Sequence, residues 1–524
     1  MSTLNISEES NSTMGAPDAG GTAPLTLNVE EFRRLGYRAV DLAAAHLAGV
    51  RERPVFQPMT PDERRAVLEQ PLPETGMAPD DILGAFARAI LPHPMGNGHP
   101  RFFGWVNSPP APMGVLAELL AAAMDPSCAG GDHAAIYLER CVVRWLMELV
   151  GFPTGAEGST SMGLLVSGGS MASLTCLAAA RHRAASQDGW NMRRDGLQHL
   201  ETDLVLYLSQ EGHACIHKAA ELLGLGARAL RVIPVDADLR LDVAALRDAV
   251  AVDHAAGRRP FCVVASAGTV NSGTVDPLDK IADLCAAEGL WFHVDGAYGA
   301  VGVLDPTVAP LYKGMERADS LALDPHKWLC VPIECGCALV RDGALLRDTF
   351  SLVPPYIRIE EGADPSALPW YSEYGFQQTR GFRALKLWMT LQHAGRAGLS
   401  AMIAGHNRLA RRLAALVAGA PDLELVAPVD LSIVLFRYVP ASLTEDSASL
   451  DTLNKAIMEE VQAGGVAFLT GTILRGAFAL RACIVGYATT EGDIALLVDE
   501  IRRAGARLSA TLGYVSTGSV ASVR

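Results

Sequence analysis

Lys327 stands in an unusual setting for an amine. The stretch Ser320-Leu321-Ala322-Leu323-Asp324-Pro325-His326-Lys327-Trp328-Leu329 places it between two apolar runs, beside a histidine and a turn proline. Lysine is normally solvated, so this surrounding costs free energy. The cost falls if the amine is neutral or held covalently, for example as an imine. About thirty residues upstream, Trp291-Phe292-His293-Val294-Asp295-Gly296-Ala297-Tyr298 reads as an apolar strand that ends on a carboxylate and runs into small residues. The pair offers an imine-forming amine and an acid able to keep a ring nitrogen protonated.

Those are the two demands of pyridoxal phosphate (PLP): an aspartate on the pyridine nitrogen and a lysine on the aldehyde carbon. The sequence His293-Val294-Asp295-Gly296-Ala297-Tyr298-Gly299 followed by Asp324-Pro325-His326-Lys327-Trp328 resembles the group II PLP-dependent amino-acid decarboxylases, which act on aromatic L-amino acids, histidine or glutamate. The resemblance runs from about Leu27 to about Leu508. It implies an α/β protein of PLP fold type I, aspartate aminotransferase-like, with a mainly parallel seven-stranded sheet, a helical N-terminal arm and a small α/β C-terminal domain. The implied division is a tail over 1–24, a helical dimerisation segment over 25–110, a large PLP-binding domain over 111–384, a small domain over 385–512 and a tail over 513–524. It also implies a homodimer with the active site at the subunit interface.

The elements that must position these groups alternate in type. Strands at Leu164–Val166, Leu204–Leu208, Phe261–Ala265 and Trp291–Asp295 are separated by helical stretches, which argues for a parallel sheet with helices on both faces. Ligands then bind beyond the strands' C-terminal ends, and His213, Thr269, Asp295 and Lys327 all follow such strands. Ser167-Gly168-Gly169-Ser170 precedes a helix and can offer unpaired N–H groups to an anion. At the position of the family's phosphate loop, Gly169 and Ser170 become cofactor contacts. Within the resemblance, His213 stacks on the cofactor ring, and Ala297, Thr269, His326 and Asp324 complete the cofactor set. His326 could meet the phosphate or the substrate carboxylate. Asp324, repelled by a phosphate if ionised, is expected to bond backbone groups or be partly protonated. Val270 stands where many relatives carry a second threonine.

His99-Pro100-Arg101-Phe102-Phe103-Gly104-Trp105 resembles a family segment that enters the active site, making Trp105, Asn107 and Ser108 candidate substrate contacts; a Pro-rich aromatic core loop is the alternative. Ser127 and Cys128 are small where aromatic-specific relatives place bulky ring-contacting residues. A long charged loop is expected from Arg347 to Pro369. In it, Tyr356 falls at the spacing of the family's catalytic tyrosine, which donates a proton at Cα after CO2 leaves; a surface aromatic is the alternative. Arg380 and Arg383 read as structural ion pairs. Asp80 is expected to cap a helix through Ile90, and Val29–Val50 carries an apolar helical stripe that wants a partner surface.

The whole chain bounds these readings. At 524 residues, 49% hydrophobic and 19% charged, it can bury a large core. A net charge of −14 argues against nucleic acid or an anionic membrane as partner. No run of about eighteen apolar residues marks a membrane span. Ten scattered cysteines without metal spacing read as reduced thiols in a cytoplasmic protein, with no metal site. The expected reaction is decarboxylation of an L-amino acid, an aromatic one by overall likeness, through an imine of PLP with Lys327. An aromatic aldehyde synthase, a decarboxylase of a non-aromatic amino acid, an aminotransferase or lyase on this fold, and a cofactor-free binding protein are the competing readings.

Overall fold

A computed structural model describes residues 25–154, 160–198, 200–352, 370–443 and 447–511, in two units: 25–49 with 60–92, and 50–59 with 93–511. In the smaller unit, three helices form where local signals are strongest. Asn28 caps Val29–Ala48 by accepting the Glu31 N–H at 2.8 Å. Thr60 and Glu63 make a reciprocal capping box on Pro61–Leu68. The third helix, Pro79–Ala89, begins on a proline with Ala78 as its cap residue, which corrects the expected capping role of Asp80. Asp80 lies in the first turn and pairs with Arg34 and Arg38, whose charges bring its carboxyl down to about 2. Of the expected stripe on Val29–Ala48 only Leu35 is buried, and Phe32 and Tyr37 are 59% and 67% exposed in the single chain.

Among the described residues the larger unit contains twelve strands: β1 (Phe102–Phe103), β2 (Met162–Val166), β3 (Leu204–Ser209), β4 (Leu230–Ile233), β5 (Arg259–Ser266), β6 (Trp291–Asp295), β7 (Ser320–Leu323), β8 (Gly336–Val340), β9 (Leu423–Leu425), β10 (Ile433–Tyr438), β11 (Phe468–Leu474) and β12 (Ala477–Cys483). The main sheet has seven strands in the order β2-β8-β7-β6-β5-β3-β4. Neighbours from β7 through β4 run parallel, and β8 is antiparallel to both β7 and β2. Almost every residue of β3, β5, β6 and β7 is buried, as expected of parallel strands covered on both faces. This is the mainly parallel α/β sheet of PLP fold type I.

A second sheet, β1-β11-β12-β10-β9, is antiparallel except where β1 pairs with β11. Helices Ser447–Ala463 and Glu491–Thr511 close its core. Residues 93–110, read from sequence with the N-terminal segment, group with this larger unit through β1. A long helix, Arg383–Ala418, connects the sheets and breaks its helical geometry at Gly395 (φ 62°, ψ 164°). Arg347 lies not in a loop but in helix Gly343–Phe350, capped by Asp342; residues 353–369 of the expected loop, with Tyr356, lie outside the described residues.

Candidate active site

The C-terminal ends of β3, β5, β6 and β7 open onto one cavity of about 370 Å³. β6 ends on Asp295, whose Oδ1 accepts the Ala297 N–H at 3.1 Å. β7 leads into a turn in which Lys327 N–H donates to the Asp324 carbonyl at 2.9 Å. The Lys327 ammonium lies 3.0 Å from Asp324 Oδ2. Burial pushes this amine's pKa down, but Asp324 and Asp295 outweigh burial and leave it raised. The amine thus meets the cost of its apolar setting by ion pairing. Asp324 correspondingly bonds Lys327, where sequence reasoning expected backbone partners or partial protonation.

β3 is followed by a turn that brings His213 to the cavity. The Cys215 main-chain N–H donates to His213 Nδ1 at 3.1 Å. An amide can only donate, so Nδ1 is the acceptor and the neutral ring carries its proton on Nε2. Burial pushes the imidazole below its usual range, favouring that neutral form. His326 Nδ1 sits 2.8 Å from the Cys335 carbonyl oxygen, and the Ser108 hydroxyl donates to the His326 carbonyl at 3.2 Å.

Across the cavity, β2 runs through Ser167 and Gly168 into helix Gly169–Gln187. A Cβ at Gly169 would lie 2.8 Å from Ala297 Cβ and 3.0 Å from Asp324 Oδ2, so only glycine lets the helix start this close. The first N–H groups of this helix have no intrahelical acceptor and can receive a phosphate. Asp324 Oδ1 is buried with no hydrogen-bond partner among the described residues. A glycine cradle at a helix start, an amine and an acid around one cavity, and an unused buried polar atom fit PLP.

The structure therefore brings Lys327, Asp295, His213, Gly169, Ser170, Ala297, Asp324 and His326 together on one cavity. It does not bring Thr269 there: its hydroxyl is turned into a buried cluster with Ser272 (2.8 Å) and Thr274 (3.0 Å), and its neighbours Gly268 and Val270 line the wall instead. Nor are Trp105, Asn107 and Ser108 lining residues. Trp105 is about half exposed against Phe102 and Phe468, Asn107 reaches Met95 Sδ, and Ser108 supports His326 from behind. The cavity takes Val106 from that segment. Ser127 is exposed, and Cys128 is buried with its N–H on the Arg380 carbonyl; neither lines this chain's cavity.

Sequence reasoning missed Val106, Met171, Cys215, Ser266 and Tyr298 as lining residues. Only Tyr298 and Cys215 carried a signal, by following Asp295 and His213 at short spacing. Arg481 was missed too. This buried side chain on β12 donates to the carbonyls of Trp105 (2.9 Å), Val270 (2.8 Å) and Asn271 (3.1 Å), fixing two segments of the cavity wall.

The Pyridoxal-dependent decarboxylase conserved domain matches residues 61–439. The chain belongs to the pyridoxal-dependent decarboxylase family. It is 35% identical to an aromatic-L-amino-acid decarboxylase of Bacillus atrophaeus over 91% of this chain and 96% of that protein. Among solved structures it resembles Oryza sativa TDC with PLP and tryptamine (TM-score 0.86, 28% identity, 93% of this chain and 100% of that one). It also resembles Catharanthus roseus tryptophan decarboxylase in complex with L-tryptophan (TM-score 0.83, 28% identity, the same coverage). This decarboxylase is accordingly a PLP-dependent carboxy-lyase acting on an amino acid. Among the described residues no group of side chains could hold a metal ion, and no helix is long and apolar enough to cross a membrane.

Proposed function

We propose that this decarboxylase converts an aromatic L-amino acid to its amine and CO2, with Lys327, Asp295, His213 and Tyr356 as catalytic groups. The observation that carries the reading is the convergence of Lys327, Asp295 and His213 on one cavity with an apolar wall of Val106, Met171 and Val270. Among the described residues, that lining offers no cation apart from Lys327 and two imidazoles to receive a second carboxylate, which favours an aromatic over an acidic side chain. The names of the relatives point the same way.

When bound, PLP supplies a covalent site for the substrate amine and a ring that takes up the electron pair released as the α-carboxylate leaves as CO2. Lys327 would hold the aldehyde carbon and release it to the substrate amine. Asp295 would keep a proton on the ring nitrogen, and its bond from Ala297 fixes the carboxylate's direction. His213 would lie against the ring, with Nε2–H as a donor into the cavity. The start of helix Gly169–Gln187, with Ser170, would receive the phosphate, with His326 and Asp324 on the same cavity. Tyr356 would return the proton to Cα.

A homodimer with its sites at the subunit interface would cover the exposed side chains of Val29–Ala48 and give Ser127 a cavity to face. The ten cysteines are free thiols, nine of them buried, which supports a reducing, cytoplasmic setting. The test is CO2 release from the twenty amino acids and hydroxylated aromatics. Preference for an aromatic substrate with stoichiometric amine supports the proposal; preference for glutamate overturns it. Ammonia and peroxide as products would identify an aldehyde synthase, and a keto acid an aminotransferase.

A further inference from the structure

The turn that presents Lys327 closes on itself through Cys330 N–H to the Lys327 carbonyl (3.2 Å) and Val331 N–H to the Pro325 carbonyl (3.2 Å). What holds the turn in place lies behind it. Trp328 is fully buried and lines no part of the cavity. Its ring stacks on Tyr298, with centroids 4.9 Å apart and planes 19° from parallel. Tyr298 is itself a cavity wall, and its hydroxyl lies 2.5 Å from Ser432 Oγ. The Trp328 indole N–H donates to His406 Nδ1 at 2.9 Å. His406 belongs to the long helix Arg383–Ala418 and is buried.

The tautomer of His406 follows from its partners. An indole N–H can only donate, so Nδ1 must be unprotonated. Nε2 lies 3.1 Å from the Gly486 carbonyl oxygen and must carry the ring's proton. A neutral ring with one acceptor and one donor satisfies both contacts, and burial favours that charge state by pushing the imidazole down to about 4. Neither contact tolerates the opposite tautomer, which would set two N–H groups against each other and leave the Gly486 carbonyl without its donor. His406 therefore accepts from one side and donates to the other, joining the residue after Lys327 to the backbone beyond β12.

We infer that His406 is a positioning residue for Lys327, acting through Trp328: the Gly486–His406–Trp328 chain of hydrogen bonds fixes the turn from which the amine enters the cavity. The inference rests on Lys327 being the cofactor lysine. A side chain positioned from behind gains its precision from such locked neighbours. Stacking on Tyr298 leaves the indole free to slide in its own plane, and the bond to His406 removes that freedom.

The full-length protein with 15N-labelled tryptophan tests this in two steps. The indole N–H resonance absent from Trp328→Phe belongs to Trp328. It should shift upfield in His406→Leu and return towards its original position in His406→Asn, whose side-chain oxygen takes the place of Nδ1. In the PLP-loaded protein, loss of imine absorbance to added hydroxylamine, which captures the aldehyde carbon as an oxime, should speed up roughly five- to tenfold in His406→Leu, the worth of one buried hydrogen bond. Trp328→Phe should show the same change, the double variant no more than either, and His406→Asn should recover most of it. An unmoved indole resonance in His406→Leu, or a moved resonance with unchanged imine retention, overturns the inference. Should His406→Leu not fold, Trp328→Phe, which keeps an aromatic ring beside Tyr298 and has no donor, decides by its imine retention. If Lys327→Ala kept the imine band, the reading of Lys327 would fail instead, a result distinct from all of these.

Discussion

Lys327 and Asp295 carry opposite charges into the same cavity, and their chemistry can be separated by substitution. Lys327→Ala should abolish the visible imine absorbance and lower turnover by about a thousandfold or more, because a covalent anchor and proton carrier are lost together. Asp295→Asn keeps the shape and removes the charge proposed to hold the ring proton; turnover should fall by about a hundred- to a thousandfold with the imine band retained. A fully active variant of either kind would contradict the assigned roles. His213 gives a pH signature. Its imidazole titrates below the usual range because it is buried, so it takes up its charge in more acidic solution than a solvated histidine does. The acid limb of kcat/KM should lie below the ordinary imidazole value and disappear or move in His213→Gln, as measured by a pH–rate profile.

Helices and strands were readable where their own residues signal them. The apolar run into Asp295 is such a local statement, and its strand forms as expected; the Thr60 and Glu63 capping box is another local signal that the structure realises. Among the strands that sequence reasoning did not give are two with weak signals of their own. β1 is two residues long, and β11 contains Thr470-Gly471-Thr472 at its centre, which reads as a turn as easily as a strand. Each becomes a strand because a partner supplies its hydrogen bonds, β1 from β11 and β11 from β12. The stacking of Phe102 on Phe468, with centroids 5.0 Å apart, adds side-chain packing to that pairing. At this scale Arg380–Glu139 is a fully buried ion pair. Arg380 also donates to the Cys128 carbonyl at 2.8 Å and to the Leu165 carbonyl on β2, so it ties the main sheet to the segment preceding helix Ala134–Val150. Arg380→Met should destabilise by about 3–5 kcal/mol because it strands Glu139 without a charge partner, and adding Glu139→Leu should recover much of the loss. Denaturant unfolding of the two variants checks both halves.

Across the larger unit, buried histidines set the response to acid. Burial holds His99, His293 and His406 at about 4 in the folded protein, below the roughly 6.5 of an unfolded histidine. Between those values the unfolded chain binds more protons than the folded one, so stability rises with pH in this window. The contribution is complete above the unfolded value and is lost as pH falls towards 4. Asp276, raised to about 6 by burial, works in the opposite sense but is a single group. The thermal midpoint should therefore drop steadily from about pH 6.5 to 4, and replacing His293 by Gln should flatten that slope. A midpoint constant over this range would show that these imidazoles titrate normally.

The sequence by itself determined the chemistry and its scaffold: an amine after β7, an acid at the end of β6, an imidazole after β3 and a glycine start to a helix are all fixed relative to strands by chain order. Parallel strands then deliver them to one side of a sheet. What only the tertiary structure decided is which way individual side chains turn. Thr269 and Val270 are adjacent in sequence, yet the hydroxyl folds into a polar cluster and the valine faces the cavity, because burial rewards the hydroxyl only where Ser272 and Thr274 can pair with it. Likewise Asp324 found an ammonium, Val106 faces the cavity while its aromatic neighbour does not, and Arg481 and His406 came from more than seventy residues beyond Lys327 to hold the wall and the turn. Hydrogen bonds and charge pairs across such distances depend on the packed fold, not on spacing along the chain.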